Sequence, residues 1–139
     1  MTDSVASKNA IVVSRDLPVG LAVNAASVLA VTLGERVEGL VGSDVQDCEG
    51  VVHPRIIYSP LPVLTADPAV IHDIVAAALP DDSIFCVAFS SLAQSCKTYD
   101  EYIQRMAQTL TTDLAAVAVA LVGPKNKVNK LVGSLPLLR

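Results

Sequence analysis

Residues 10–33 read AIVVS-RDLPVG-LAVNAASVLAVTL, and these three pieces decide the fold class. A short apolar run rich in β-branched residues, 10–14, has the make-up of a strand covered on both faces. Arg15 to Gly20 is turn chemistry, with Pro18 fixing one dihedral and Gly20 permitting a tight approach. From Leu21 the chain becomes Ala-rich. Leu21, Ala25, Val28, Leu29 and Thr32 then fall at helical spacing until Gly34. A strand that hands its polar end to the mouth of a helix is the opening of an α/β unit, and such mouths usually carry the chemistry.

Working outward, residues 1–8 form a polar tail expected to fray, and 9–139 form a single α/β domain. Residues 35–60 carry short apolar pairs between Gly39, Gly42 and Gly50, a pattern of a brief hairpin or an excursion over the fold. The prolines at 54, 60 and 62 exclude a long central strand, so pairing is expected at 61–65. Asp67-Pro68 then predicts a capped helix reaching Pro80, with Asp67 as the cap. Residues 83–89 read as the clearest buried strand. Thr98 and Glu101 have the spacing of a capping box for a helix over 99–108. The run AAVAVALV, 115–122, is a last central strand, and Gly123-Pro124 turns it into a lysine-bearing helix ended by Gly133. The tail SLPLLR is apolar enough to dock on the sheet or on a partner chain. The alternation predicts a three-layer α/β sandwich whose four-stranded sheet, mixed or mostly parallel, is flanked by helices.

Composition narrows the functional classes. The chain has 139 residues, 52% of them hydrophobic, with no Trp and 4% aromatics, so platforms for stacking bases are scarce. A net charge of −4 sets the overall field against phosphate backbones, and nucleic acid is not expected as a partner unless a local basic patch binds it. The three cysteines are odd in number and lack metal-type spacing; they fit a reducing cytoplasm and give no disulfide framework, metal site or cofactor. Cys86, inside IFCVAF, reads as packing. The first eight residues lack a signal-peptide core, and the apolar runs read as too short to span a bilayer, so no membrane is expected.

Two ends of the chain resemble the class II peptidyl-tRNA hydrolases of archaeal and eukaryotic type. The likeness lies in Val12-Val13-Ser14-Arg15-Asp16-Leu17, Gly20 and Ala25-Ala26, then in Leu121-Val122-Gly123-Pro124 and residues 130–138. The strings DLPVGLAVNAASVL, GVVHP, TYDEY and GPKNKVNKLVGSLPLLR are more similar still to a bacterial family known as domain of unknown function number two thousand. That resemblance implies a peptidyl-tRNA hydrolase II-like fold and brings no activity with it. Leu21 and Val23 stand where the hydrolases carry lysines. Their helix glutamine falls on Ser27 and their histidine on Ala30, and their Asp-x-Gly-Arg-Thr-Gln segment has no counterpart. The resemblance therefore implies the scaffold with the hydrolase reaction lost.

The candidate site residues follow. Asp16 sits at a strand end beside a helix mouth, where a carboxylate serves as general base or ligand anchor, or simply caps the turn or pairs with Arg15. Asn24, an amide in an Ala-rich helix, needs a partner and could face a pocket. His53, Ser90 and Gln94 are polar groups suited to a cleft. Ser90, His53 and Asp16 have the residue types of a triad without a nucleophile elbow. Lys125, Lys127 and Lys130 gather at the start of the last helix, whose free amides favour anions, although a solvated basic face is the plainer reading. His72 has no second metal-type residue one turn on and reads as a solvated helical histidine. The leading expectation is a non-catalytic small-molecule-binding protein, a homodimer through apolar edge surfaces. The alternatives are a hydrolase of peptidyl-tRNA or another acyl or ester bond, and an interaction module exposing an apolar patch.

Overall fold

A computed structural model describes residues 7–139. The expected tail falls largely outside them, but Ser7 and Lys8 already belong to the first strand. The chain runs β1 (Ser7–Ser14), α1 (Val19–Arg36), β2 (Val45–Gln46), β3 (Val52–His53), β4 (Val63–Ala66), α2 (Pro68–Ala78), β5 (Phe85–Ser90), α3 (Ser91–Ser95), α4 (Tyr99–Ala107), a 3-10 turn (Thr111–Asp113), β6 (Ala116–Pro124) and α5 (Lys125–Val132).

The main sheet is mixed, in the order β4-β1-β6-β5. β1 pairs parallel with β4, from Ile11 opposite Val63 to Ser14 opposite Ala66. β6 is antiparallel to both β1 and β5. The two central strands are buried on both faces: Ala10 to Val13 and Ala118 to Leu121 are all 0% exposed. Alternation divides the core. Ile11, Val13, Ala118 and Ala120 meet Ala22, Ala25, Leu29 and Leu33 of α1. Ala10, Val12, Val119 and Leu121 meet Ile71, Ile74 and Ala78 of α2 and Val128 and Val132 of α5. The result is helix, sheet and helices in three layers around an aliphatic core, with Phe85 and Phe89 packed at its margin on the α1 side. Gly123 lets β6 pass close to the turn before β5, since a Cβ there would crowd the Ser83 carbonyl oxygen at 3.1 Å.

Three expectations are corrected. Residues 83–89 are not a buried central strand: β5 lies at the sheet edge and none of its residues is fully buried. Its apolar run instead lines surface grooves on both sides. In α1 the buried face is Ala22, Ala25, Leu29 and Leu33, whereas Leu21 and Val28 are 44% and 37% exposed. That helix is apolar all round, so spacing alone did not select its core face. By length and composition α1 also qualifies as a membrane span, against the sequence expectation; its four buried residues tie it to the sheet.

The segment after α1 does form a hairpin, β2 with β3, in a two-stranded ladder of its own. Asp47 organises its turn, accepting from the amides of Glu49 at 2.9 Å and Val51 at 3.1 Å, while Gly50 supplies a φ of +82°. The returning chain is tied to β1 by Asn9, which is 2% exposed and donates to Ser59 Oγ at 2.7 Å. The apolar C-terminal tail docks on its own sheet: Thr65 N donates to Pro136 O and Leu138 N to Val63 O, both at 2.9 Å.

Candidate functional site

The carboxyl ends of β1, β4 and β5 share one end of the sheet, because β1 and β4 are parallel and both β1 and β5 oppose β6. Arg15, Asp16, Asp67, Ser90 and the mouth of α1 therefore come together there. Asp16 is exposed, and its backbone N–H donates to Ser14 Oγ at 3.2 Å. Arg15 pairs with Asp67, Nε to Oδ1 at 3.0 Å, and not with its sequence neighbour. This also corrects the expected cap: Asp67 makes no capping bond. Pro68 lessens the need for one, having no N–H to satisfy.

Asn24 and Gln94 are brought together from 70 residues apart. Gln94 Nε2 donates to Leu21 O at 3.0 Å and to Asn24 Oδ1 at 3.3 Å, stapling α3 to the first turns of α1. Ser90 Oγ accepts from Ala93 N at 3.1 Å and caps α3. His53 lies at the other end of the molecule. α1 runs back along the sheet before the hairpin begins, and Ser59, just past that hairpin, is bonded to Asn9 in the amino-terminal half of β1. There the ring of His53 meets Asp47 Oδ2 at 2.9 Å. That bond, ahead of the turn amides of Glu49 and Val51, holds Asp47 below the usual carboxylate range. The topology thus denies Ser90, His53 and Asp16 a common site.

The lysine cluster is also divided. Lys127 Nζ donates to Ser83 Oγ at 2.7 Å and pairs with Asp81 Oδ2 at 3.1 Å, so its charge is already matched, while Lys125 and Lys130 are exposed. His72 is exposed and lies 3.8 Å from Asp73. Among the described residues no group of three His, Cys, Asp or Glu side chains could hold a metal ion.

Concavities lie at the mouth of α1, where Arg15, Leu17 and Val19 meet the C-terminal tail, and around the hairpin; two more flank β5, one on each side. One, of about 400 Å³, is bounded by Val28 and Thr32 of α1, by Val87 and Phe89, and by Cys96 and Tyr99. The other, of about 580 Å³, lies between α2, β5 and α4 and is lined by Val75, Leu79, Ala88, Met106 and Leu114, with Ser90 and His72 as polar members. Ala88 and Tyr102 border both. Of the candidates read from the sequence, Ser90 alone lines the larger groove. Sequence reasoning missed Tyr102 and Met106, although Tyr99, Tyr102, Ile103 and Met106 keep helical spacing on a helix with no buried residue, a face looking for cover. Cys86, on this strand, packs against the core on the α2 side, and burial pushes its thiol up to about 11, which disfavours the reactive thiolate.

The family model described as a protein of unknown function, DUF2000, matches residues 7–139. The chain belongs to the DUF2000 family. The sequence likeness to that family is thus borne out along nearly its whole length. A solved structure of a protein of unknown function from Agrobacterium tumefaciens strain C58 superposes with a TM-score of 0.84 at 19% identity, covering 96% of this chain and 98% of that one. At that identity the likeness extends to the fold alone. No curated protein matches the chain. The DUF2000 chain therefore shares its mixed α/β architecture with a structure whose own activity is unassigned.

Proposed function

We propose that this DUF2000 protein binds a small, largely apolar molecule in the groove between α2, β5 and α4 and does not chemically transform it. The observation that carries the reading is the groove itself. Its volume of about 580 Å³ falls within the range of roughly 300–1,000 Å³ typical of ligand pockets. Apolar walls with Ser90, His72 and the Tyr102 hydroxyl at isolated points would orient a ligand bearing one or two polar groups.

We also take the fold to be peptidyl-tRNA hydrolase II-like, with its reaction absent. The β1–turn–α1 opening and the direct passage of β6 through Gly123-Pro124 into α5 support that kinship. Leu21 and Val23, both exposed, place hydrocarbon where the hydrolases hold ammonium groups. Ser90 Oγ accepts from Ala93 N as a helix cap and His53 is paired with Asp47 inside the hairpin, so those two do not form a nucleophile–base pair. The unpaired state of the thiols supports a cytoplasmic setting.

The test is titration of the purified protein with 1-anilinonaphthalene-8-sulfonate, followed by displacement with a metabolite library read by thermal shift. Saturable binding that Ala88→Phe weakens at least tenfold, by filling the groove, is the expected result. Binding unaffected by Ala88→Phe, or no saturation, would remove the groove as a site. Release of N-acyl amino acid from a peptidyl-tRNA mimic, abolished by Asp16→Ala, would replace the proposal with an enzyme.

A further inference from the structure

Residues 17–34 contain no charged side chain, yet they make up most of a helix whose outer side faces solvent. Val19, Val23 and Val31 are 75%, 53% and 74% exposed. With Ser27 they follow one another at four-residue steps, a single ridge along the outward surface of α1. Ser27 does not make that ridge polar, because its hydroxyl is turned back onto Val23 O at 2.8 Å. A helix that is apolar all round is ordinarily covered on every side; here the sheet covers one side only.

We propose that α1 is the contact surface of a symmetric dimer of this chain, two copies packing their α1 helices nearly antiparallel about an axis at Ser27. Three observations favour a second copy as the occupant. First, the ridge is self-complementary: Val23 and Val31 are equidistant from Ser27, so each meets the other across the axis, as an isologous contact requires. The small side chains of Ser27 and Ala30 near the centre permit close approach, and a Cβ built on Gly20 or Gly34 meets nothing within 4 Å.

Second, the charges fit. Glu35 lies eight residues, about 12 Å, beyond the axis at 1.5 Å per residue, level with the partner's first helical turn. That turn has no side-chain cap and no acidic residue, and its free amides attract a carboxylate. Arg15 and Asp16, one charge of each sign, flank the same spot.

Third, the area suffices. The hairpin adjoins the carboxyl end of α1, where Gly34, Glu35, Val41 and Arg55 line one cavity, and it exposes Val45, Val51, Val52, Ile56 and Tyr58. Antiparallel pairing sets each hairpin beside the amino-terminal half of the partner's helix. Helix and hairpin together offer on the order of 1,000 Å² of apolar side chain per protomer, against about 800 Å² per partner in a standard stable interface. A lipid surface fits less well, since membrane-surface helices carry Lys and Arg along their polar side and this helix carries none before Arg36.

Sedimentation equilibrium of the full chain between about 1 and 100 µM tests the proposal. The expected mass is twice the chain's 14.5 kDa. The double variant Val23→Glu/Val31→Glu should run as a monomer with an unchanged circular dichroism spectrum. In a Cys48→Ser background, Ser27→Cys should give a disulfide-linked dimer under mild oxidation. Glu35→Cys should not, its two copies lying roughly 24 Å apart by the same helical rise. A wild-type monomer throughout, a dimer indifferent to the glutamates, cross-linking at residue 35 in place of 27, or a monomer that pellets with phosphatidylcholine–phosphatidylglycerol vesicles would each overturn it.

Discussion

Asp81 shows what a single residue gains from its surroundings. Its carboxyl is held down to about 2 by the Ser83 hydroxyl first, then the Ser83 amide, then Lys127. Ser83→Ala and Lys127→Met should therefore each raise the Asp81 pKa, as read by carboxylate NMR titration. A folded pKa depressed below the unfolded value stabilises the fold above that unfolded value. The contribution is lost as pH falls from about 3.8 through about 2, so Asp81→Asn should flatten the acid-unfolding curve in that window. The lysine cluster was legible in the sequence because its members are neighbours. The engagement of Lys127 was not, since its partners lie 44 and 46 residues away. Arg15 makes the same point: adjacency suggested Asp16, and the parallel β1–β4 pairing delivered Asp67.

Among the elements, those marked by local chemistry were the ones the sequence located well. Thr98 accepts from Glu101 N at 3.1 Å as the capping box required, while Glu101 reaches back to Lys97 N at 3.2 Å. The glycines of 35–60 left a hairpin and an excursion over the fold both open, and the pairing of β2 with β3 decided for the hairpin. The inner face of α1 could be read only in part: its small residues pointed to Ala22 and Ala25, but a helix with Val, Leu or Ala on every side offers no periodic contrast, and contact with the sheet selected Leu29 and Leu33 to join them. Leu29, 1% exposed, is a direct probe of that selection. Leu29→Ala should cost about 2–5 kcal/mol in urea unfolding. Leu110→Ala, at a side chain 69% exposed, should change stability by no more than about 0.5 kcal/mol.

At the scale of the whole molecule, the two sheet edges are treated differently. The outer edge of β4 is covered by the chain's own tail, with Leu137 bridging Leu64, whereas β5 carries grooves on both sides. Removing residues 135–139 should lower the melting temperature and leave an unpaired strand edge prone to association; thermal unfolding with light scattering checks both. By itself the sequence determined the alternation of the four main strands with α1, α2, α4 and α5 and the aliphatic core, because composition, turn residues and caps act over a few positions, while its motifs carried the likeness to the family. Only the tertiary structure decided that β5 is an edge, that Asn24 meets Gln94, that His53 is carried away from Ser90 and that α1 keeps a bare apolar side. Each of those depends on strand order and direction, which bring together residues dozens of positions apart and leave no mark in local spacing.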